Sequence, residues 1–400
     1  MNEVTSEKKT GALKRFFLLG RLGNGTKEEA LILWFSLVPF CAYFFSGILI
    51  FAIAGAIVFD KNTLKIAVKD KHFFALNAML SGFSMLSSVI ALNYIGMAIS
   101  FCVFVILLIA GYLKETMTAV AFRKATVVIS LGSVVSLIAA LFQKLVIFPN
   151  DELYRPTAGA FNANYFGALV TMTSLMALVR LFDGETTEEK RKWYDRAKIY
   201  WCFILAVNLV SLLISESRSS LLSLTVCAVL FLFLKKRYLL CAAAGLCGGG
   251  IWLIGWLHPN VFSWTNSLSF IFTERTVIWE NAFRSFSQNA YTALIGRGPM
   301  TYYAVMEKEG LFPANHAHNI IFDSLLNVGV IGTAIYAALA GFGYSLCVKK
   351  FKRGETNGAV LAALIIAQIA VQGIADVTIM WHQCASLALI LIVSKYKKGI

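Results

Sequence analysis

Apolar stretches of membrane-spanning length recur from residue 31 to the C-terminus, each bounded by a short polar or charged joint. Hydrocarbon about 30 Å thick sets that length, and the absence of water inside it forces every peptide group to find a partner within its own segment. Helices meet that demand and open strands do not. The composition agrees, with 58% hydrophobic and 14% charged residues and a mean hydropathy of +0.70, values outside the usual range of soluble domains. The expected fold is all-α, a polytopic helical bundle in a membrane.

The pattern predicts twelve spans, near 31 to 44, 46 to 59, 73 to 91, 94 to 114, 125 to 146, 160 to 182, 199 to 215, 219 to 235, 238 to 257, 320 to 348, 358 to 378 and 380 to 396. The first two admit another reading, one long helix kinked at Pro39. Charge selects the hairpin, turning near Ser46 and Gly47. Lys and Arg hold loops on the cytoplasmic side, so the basic arm 1–30 and the segment with Lys61, Lys65, Lys69 and Lys71 need an even number of crossings between them. Cytoplasmic segments then hold 29 of the 36 Lys and Arg residues. Lys144, Arg155, Arg218, Arg275, Arg284, Arg297 and Lys308 face outward. Both termini are expected in the cytoplasm, and residues 31–400 form one membrane domain whose long loop, about 258–319, faces out.

The formal charge of +14 is thus a record of topology and argues for anionic lipid rather than nucleic acid as the partner. All eight cysteines lie in or at the ends of apolar segments. No pair has metal-ligand spacing, and no disulfide is expected in the outward loops.

Ionisable groups within the spans are few. Asp323, Asp376 and nearby His382 sit close to outer ends, so the working surface is the outer rim. Four of the outward arginines matter here: Arg218 in SESRSS, Arg275 and Arg284 in FTERTVIWENAFRSF, and Arg297 in IGRGPM. The segment after Arg275 predicts an amphipathic helix with Val277, Ile278, Trp279, Ala282, Phe283 and Phe286 towards one side, suited to the membrane interface. An external arginine commonly binds lipid headgroups or pairs with an acid such as Glu216, Glu274 or Glu280. A diphosphate clamp is the sharper reading, because guanidinium is permanently charged and forks onto phosphate oxygens. For Arg218 and Arg275 the clamp is preferred.

The stretch NHAHNIIFDSLLNVGVIG, residues 315–332, sets His316, His318 and Asn319 where the long loop enters a span. An imidazole there meets both water-soluble and lipid-held molecules and can take a proton from a hydroxyl. A histidine that caps or anchors the helix is the plainer alternative. Zinc is not expected, since His316 and His318 have no third ligand at a recognisable spacing. Gly329 and Gly332, on one helical face, allow a neighbouring helix to approach closely. Asp323 is a candidate to orient a histidine or to pair with an arginine.

These residues carry a resemblance. His318-Asn319, nine residues, Gly329, two residues and Gly332 resemble the H-[NSQ]-x9-G-x-x-G pattern of the O-antigen ligase and polymerase family. SRSSLL at 217–222 is similar to the family's arginine at an outward turn. RTVIWENAF at 275–283 followed by IGRGP resembles the segment leading into its catalytic loop, and FNANYFG at 161–167, with Asn164, resembles an Asn-containing helix start found there.

The resemblance implies a glycosyltransferase of the GT-C type in the plasma membrane of a bacterium, with its active site facing outward. It would take a glycan from undecaprenyl diphosphate and pass it to a glycan or lipid acceptor, in company with other envelope polysaccharide assembly proteins. His318 would be the general base, and Arg218 and Arg275 would hold the diphosphate. His316, Asn319, Asn164, Asp323, Arg284 and Arg297 would support them. The implied reaction inverts the anomeric carbon and needs neither metal nor cofactor. A polymerase joining repeat units is the preferred function, with a ligase as the close alternative. An exporter or flippase for the same lipids would line its interior with polar groups, and a scaffold would tolerate loss of His318.

Overall fold

The computed structural model describes residues 26–151, 154–182, 196–257, 268–306 and 308–396. Among them there are helices and no strand. The basic N-terminal arm expected at 1–30 lies outside the described residues as far as Gly25, as do residues 258–267 of the long loop.

In chain order the helices are α1 (Lys27–Leu37), α2 (Tyr43–Val58), α3 (Lys61–Ala67), α4 (Lys71–Ile90), α5 (Tyr94–Thr116), α6 (Ala119–Phe142), α7 (Ala163–Leu181), α8 (Arg196–Ser215), α9 (Arg218–Leu234), α10 (Tyr238–Leu257), α11 (Leu268–Phe286), α12 (Ala290–Ile295), α13 (Thr301–Val305), α14 (Ile320–Lys352), α15 (Thr356–Gly373) and α16 (His382–Ile392). Seven are long and apolar enough to cross a membrane: α4, α5, α6 with its π-helical extension to Ile147, α7, α8, α14 and α15. The α2–α3 pair, bent by 107°, makes an eighth at most. Three shorter apolar helices, Arg218–Leu234, Tyr238–Ile251 and His382–Ile392, occupy positions read as spans in the sequence.

The first hairpin turns earlier than expected. The break lies at Val38–Phe40, a 3-10 turn with Pro39 in its first positions, and Ser46 and Gly47 fall inside α2. Proline lacks the amide that would continue the helix and its ring crowds the preceding turn. α1, with 11 residues, is too short to cross hydrocarbon alone.

Helix starts are fixed by side chains that accept otherwise unpaired amides. Asp70 Oδ1 accepts from Phe73 N at 3.1 Å, Asn93 Oδ1 from Gly96 N at 2.8 Å and Asn162 Oδ1 from Tyr165 N at 3.0 Å. One end of the bundle is laced by ion pairs, Lys27–Asp60, Lys124–Glu29 and Lys114–Asp70 among them. The candidate residues lie at the other end.

α7 is the central helix. Of its strongest apolar window, 83% is buried, against α8, α9 and α15, and Phe166, Leu169, Met172 and Met176 belong to the main core. At the start of α7, Ala163 and Tyr165 are buried while Asn164 is half-buried.

α11 begins seven residues before Arg275, at Leu268. Ile278 and Ala282 are buried with Tyr302, Leu311, Ala317 and Leu326, and Trp279 and Phe286 pack on them. Phe283, expected on the same side, is 55% exposed. The apolar face thus builds a small core under the loop, because Tyr302 and Leu311, distant in sequence, compete with the membrane for it.

α14 is not one straight helix. Gly329 has φ 62° and ψ −171°, which breaks the helical path between the two glycines. The expectation that Gly329 and Gly332 share one helical face is corrected: a Cβ on Gly329 would stand 2.4 Å from Leu294 O in α12, whereas one on Gly332 would meet Val328 and, at 3.2 Å, Phe83 of α4. Loop backbone, rather than a second membrane helix, closes on Gly329.

Candidate functional site

The long loop is seated on the bundle through backbone. At the break in α14, Asn327 O accepts from Arg297 N at 3.1 Å and from Gly298 N, and Asn327 Oδ1 accepts from Thr301 N at 3.1 Å. Asn93, between α4 and α5, donates to Arg297 O at 3.1 Å and Pro299 O at 2.9 Å. The IGRGP segment is thereby a saddle. Its Arg297 side chain turns away to pair with Glu309 and Gln288. Arg284 is exposed and donates to Asn281 Oδ1 at 3.3 Å. Neither arginine has a contact with the histidines.

His316 and His318 lie at the loop's exit into α14. Asn319 caps that helix, accepting from Ile321 N at 2.9 Å and Phe322 N at 3.2 Å, and its amide donates to Ile374 O at 3.1 Å. Asp323, one turn inside, accepts from Ala317 N at 3.0 Å and from Asn327 Nδ2 at 2.8 Å. It therefore holds the backbone between the two histidines rather than a ring or an arginine. His318 itself has φ +50°, the left-handed region that costs a side-chain-bearing residue on the order of 1–3 kcal/mol.

Both rings face one carboxylate. Asp376, in the connection from α15 to α16, sets Oδ1 3.4 Å from His316 Nε2 and 3.5 Å from His318 Nδ1. The ring centroids are 4.2 Å apart. Asp376 is 1% exposed and its oxygens are well supplied: Oδ1 accepts from Val377 N at 2.8 Å and Oδ2 from Asn164 Nδ2 at 2.7 Å. Burial works against its charge, but His318, His316 and the Val377 amide together hold the carboxyl well below the usual carboxylate range. His316 is pushed down to about 4 by burial, with Asp376 opposing and His318 adding to the shift. The hydroxyl of Tyr165, on α7, lies 3.2 Å from His316 Nε2.

A third group links this acid to the arginines. Arg155 donates through Nη2 to Asn164 Oδ1 at 2.7 Å and through Nε to Ser215 O at 3.1 Å. Ser215 ends α8, and Arg218 opens α9 after the short turn. The loop carrying Arg155 is fixed by Gln143, whose Oε1 accepts from Thr157 N at 3.0 Å and Ala158 N at 2.9 Å. Burial lowers Arg155 below the ordinary guanidinium range, Glu216 and Asp376 offset that, and Arg275 adds to it. Arg218 feels the charges of both Arg155 and Arg275. Arg155, Arg218 and Arg275 thus lie close enough for their charges to act on one another, and Glu216, which also pairs with Lys144 at 3.0 Å, Asp376 and Glu274 offset part of that charge. Such a region favours an anion.

His316, His318 and Asp376 also offer three ligand atoms within 4.8 Å of one another. The third ligand that sequence spacing did not reveal is therefore Asp376, and the three could accommodate a cation by proximity alone. The hydrogen bonding is less suited to one. His316 Nδ1 accepts from His318 N at 3.2 Å, which leaves the ring's proton on Nε2, the atom that would have to bind a metal.

Of the sequence candidates, then, His316, His318 and Asn164 meet at Asp376, and Arg218 and Arg275 gather with Arg155. Asn319 and Asp323 shape the backbone. Sequence reasoning missed Asp376, Arg155 and Tyr165 as site residues. A lone aspartate at the end of an apolar run was the available signal for Asp376.

No curated protein matches the chain. Residues 202–337, a segment holding Arg218, Arg275, His316, His318 and both glycines but not Arg155, Asn164 or Asp376, match the family model described as O-antigen ligase. Through that segment, the chain is similar to the O-antigen ligase family.

Proposed function

We propose that the chain is an inverting membrane glycosyltransferase that moves a glycan from undecaprenyl diphosphate to an acceptor hydroxyl, and that it works as a surface-polysaccharide polymerase. The carrying observation is the meeting of one imidazole–carboxylate pair with a crowd of guanidinium groups. His318 Nδ1 is buried and lies 3.5 Å from Asp376 Oδ1, its nearest acid, without a closer hydrogen-bond partner; in this reading that nitrogen carries the ring proton, directed at the carboxylate, and Nε2 is left as the base.

In the reaction, the acceptor oxygen attacks the anomeric carbon from the side opposite the diphosphate and gives its proton to His318 Nε2. The glycosidic bond forms as the bond from the anomeric carbon to the phosphate oxygen breaks, and the electron pair leaves with the diphosphate. Arg218, Arg275 and Arg155 neutralise that developing charge. Diphosphate is a good leaving group, so alignment, charge stabilisation and one proton acceptor carry the rate. Asp376 stabilises the imidazolium that forms.

A lipid-borne donor suits the surroundings of Arg218. Leu212, Leu221 and Ile251, together with Glu216, surround a hollow of only about 10 Å³ beside it, so these apolar side chains offer a lipid tail a surface rather than a cavity. A ligase, transferring finished glycan to a different acceptor, is the second reading, favoured by the description of the matched family. The outer side of the bacterial plasma membrane, with both termini cytoplasmic, remains the location that the distribution of Lys and Arg supports.

The decisive experiment combines purified protein with lipid-linked oligosaccharide. Release of undecaprenyl diphosphate with formation of a longer glycan is expected, and His318→Ala is expected to abolish both while leaving protein abundance and donor binding intact. Transport of the lipid without bond formation would instead support an exporter. Deleting the protein from its host separates the other two readings: single repeat units indicate a lost polymerase, and accumulated lipid-bound long chains a lost ligase.

A further inference from the structure

His316 lies outside the histidine motif, yet it is the more buried of the two imidazoles, with its side chain 6% exposed against 28% for His318. Both of its nitrogens are committed. Nδ1 accepts the amide proton of His318 at 3.2 Å. A ring nitrogen that accepts from an amide presents a lone pair, so the neutral ring keeps its proton on Nε2. That proton has two acceptors in reach, Asp376 Oδ1 at 3.4 Å and the Tyr165 hydroxyl at 3.2 Å.

The amide that His316 holds belongs to the residue with the costly backbone. His318 keeps φ +50°, and a non-glycine residue stays there only when its neighbours over-determine the turn. Asp323 holds the preceding amide, that of Ala317, at 3.0 Å, and Asn319 begins α14 directly afterwards. Between these two anchors the His316 side chain supplies the only hydrogen bond to the His318 amide among the described residues. If that amide were released, the backbone could relax to negative φ, and the His318 ring would swing away from Asp376.

We propose that His316 is a positioning residue for His318: by accepting the His318 amide proton it sustains the left-handed turn that directs His318 Nδ1 to Asp376 and leaves Nε2 for the acceptor hydroxyl. This rests on the reading of His318 as the base. It assigns His316 neither a proton transfer nor a metal. A cation held by the two rings and Asp376 would require the His316 proton on Nδ1, where an amide proton already points.

The tautomers are therefore the test, and they are read without any turnover. The full chain, labelled with 15N-histidine in lipid nanodiscs, is examined by long-range proton–nitrogen correlation, with its five histidines assigned by single substitution. The expected result is a proton on Nε2 of His316 and on Nδ1 of His318. Three variants then divide the contacts. In His316→Asn the side-chain oxygen stands near the old Nδ1 and can still accept the amide. In His316→Gln the amide group stands near the old Nε2 and that acceptor is lost. His316→Ala loses both.

His316→Ala and His316→Gln are expected to lower kcat by about 10²-fold with donor KM little changed, as a misplaced base does, and His316→Asn to restore most of that loss. His318 should keep its single tautomer in His316→Asn and show mixed signals in His316→Gln. A proton on His316 Nδ1, equal rates for the Asn and Gln variants, or zinc bound at stoichiometric amounts to both rings would each overturn the proposal. Should the wild-type protein transfer no glycan, the tautomer results still decide the role of His316, so the two readings fail separately.

Discussion

His318 and Asp376 form the central relationship of the site: Nδ1 of a loop imidazole stands 3.5 Å from Oδ1 of a buried acid that arrives on a different pair of helices. In the proposed reaction the carboxylate would fix which ring nitrogen carries the proton and would stabilise the positive ring after proton transfer. Asp376→Asn is expected to keep the shape and lose that charge, lowering kcat by about 10² to 10⁴-fold with donor KM near the wild-type value. Release of the lipid diphosphate at saturating donor measures it; a fall of less than a few-fold would leave Asp376 as a structural acid only.

The guanidinium crowd makes a second prediction. Arg218→Lys keeps the charge and loses the fork, so turnover should fall about tenfold or more, beyond what a charge-preserving change implies. Arg155→Lys should cost more, since Arg155 also joins Asn164 Oδ1 at 2.7 Å to Ser215 O at 3.1 Å. Steady-state kinetics of both variants decide this, and wild-type rates in Arg218→Lys would count against a diphosphate clamp at that residue.

Metal removal is the third. The proposed displacement uses an imidazole and guanidinium groups, so chelator treatment should leave the rate of diphosphate release unchanged. Strong inhibition reversed by added divalent ions would replace the imidazole mechanism with one that uses the cluster of His316, His318 and Asp376.

Stability should depend on pH through His316. Its folded pKa is lowered to about 4 by burial, whereas the unfolded ring titrates near 6.5. Between those values the unfolded chain binds more protons, so stability rises with pH there and is lost as pH falls from about 6.5 towards 4. Thermal unfolding in nanodiscs should show Tm declining across that window, with a shallower slope in His316→Asn. An unchanged slope in the variant would mean that the ring is not buried neutral.

Gly329→Ala tests how the loop is seated. The position has φ +62°, and a Cβ there would approach Leu294 O to 2.4 Å. Both strain and clash act on the contact that holds α12 and the IGRGP saddle. A loss of about 2 kcal/mol or more is expected, read as a lower Tm, together with faster proteolysis of the loop between α10 and α14.

Much of the fold was legible in the sequence because hydrocarbon imposes a length and a polarity on each helix. The apolar runs predicted where α4 to α8, α14 and α15 lie. The first hairpin was misread because its turn was assigned to Ser46 and Gly47, residues that a helix tolerates, when Pro39 breaks the chain sooner. The histidine motif was legible too, since its spacing resembled a known pattern. Arg284 and Arg297 carried the same signal as Arg218 and Arg275, a charge in a segment expected to face outward, and only packing sorted them. Arg297 found Glu309 within its own loop, while Arg155, unremarkable in sequence, was drawn under Asn164.

By itself the sequence determined that this chain is a bundle of apolar helices with histidines and arginines placed at helix ends and in the joints between them, because periodicity and spacing are local properties. The tertiary structure alone decided that Asp376, from the connection between α15 and α16, meets both His316 and His318, and that Arg155 reaches Asn164 on α7. The reason is physical: a buried charge needs partners at hydrogen-bonding distance, and which groups supply them depends on how distant helices pack.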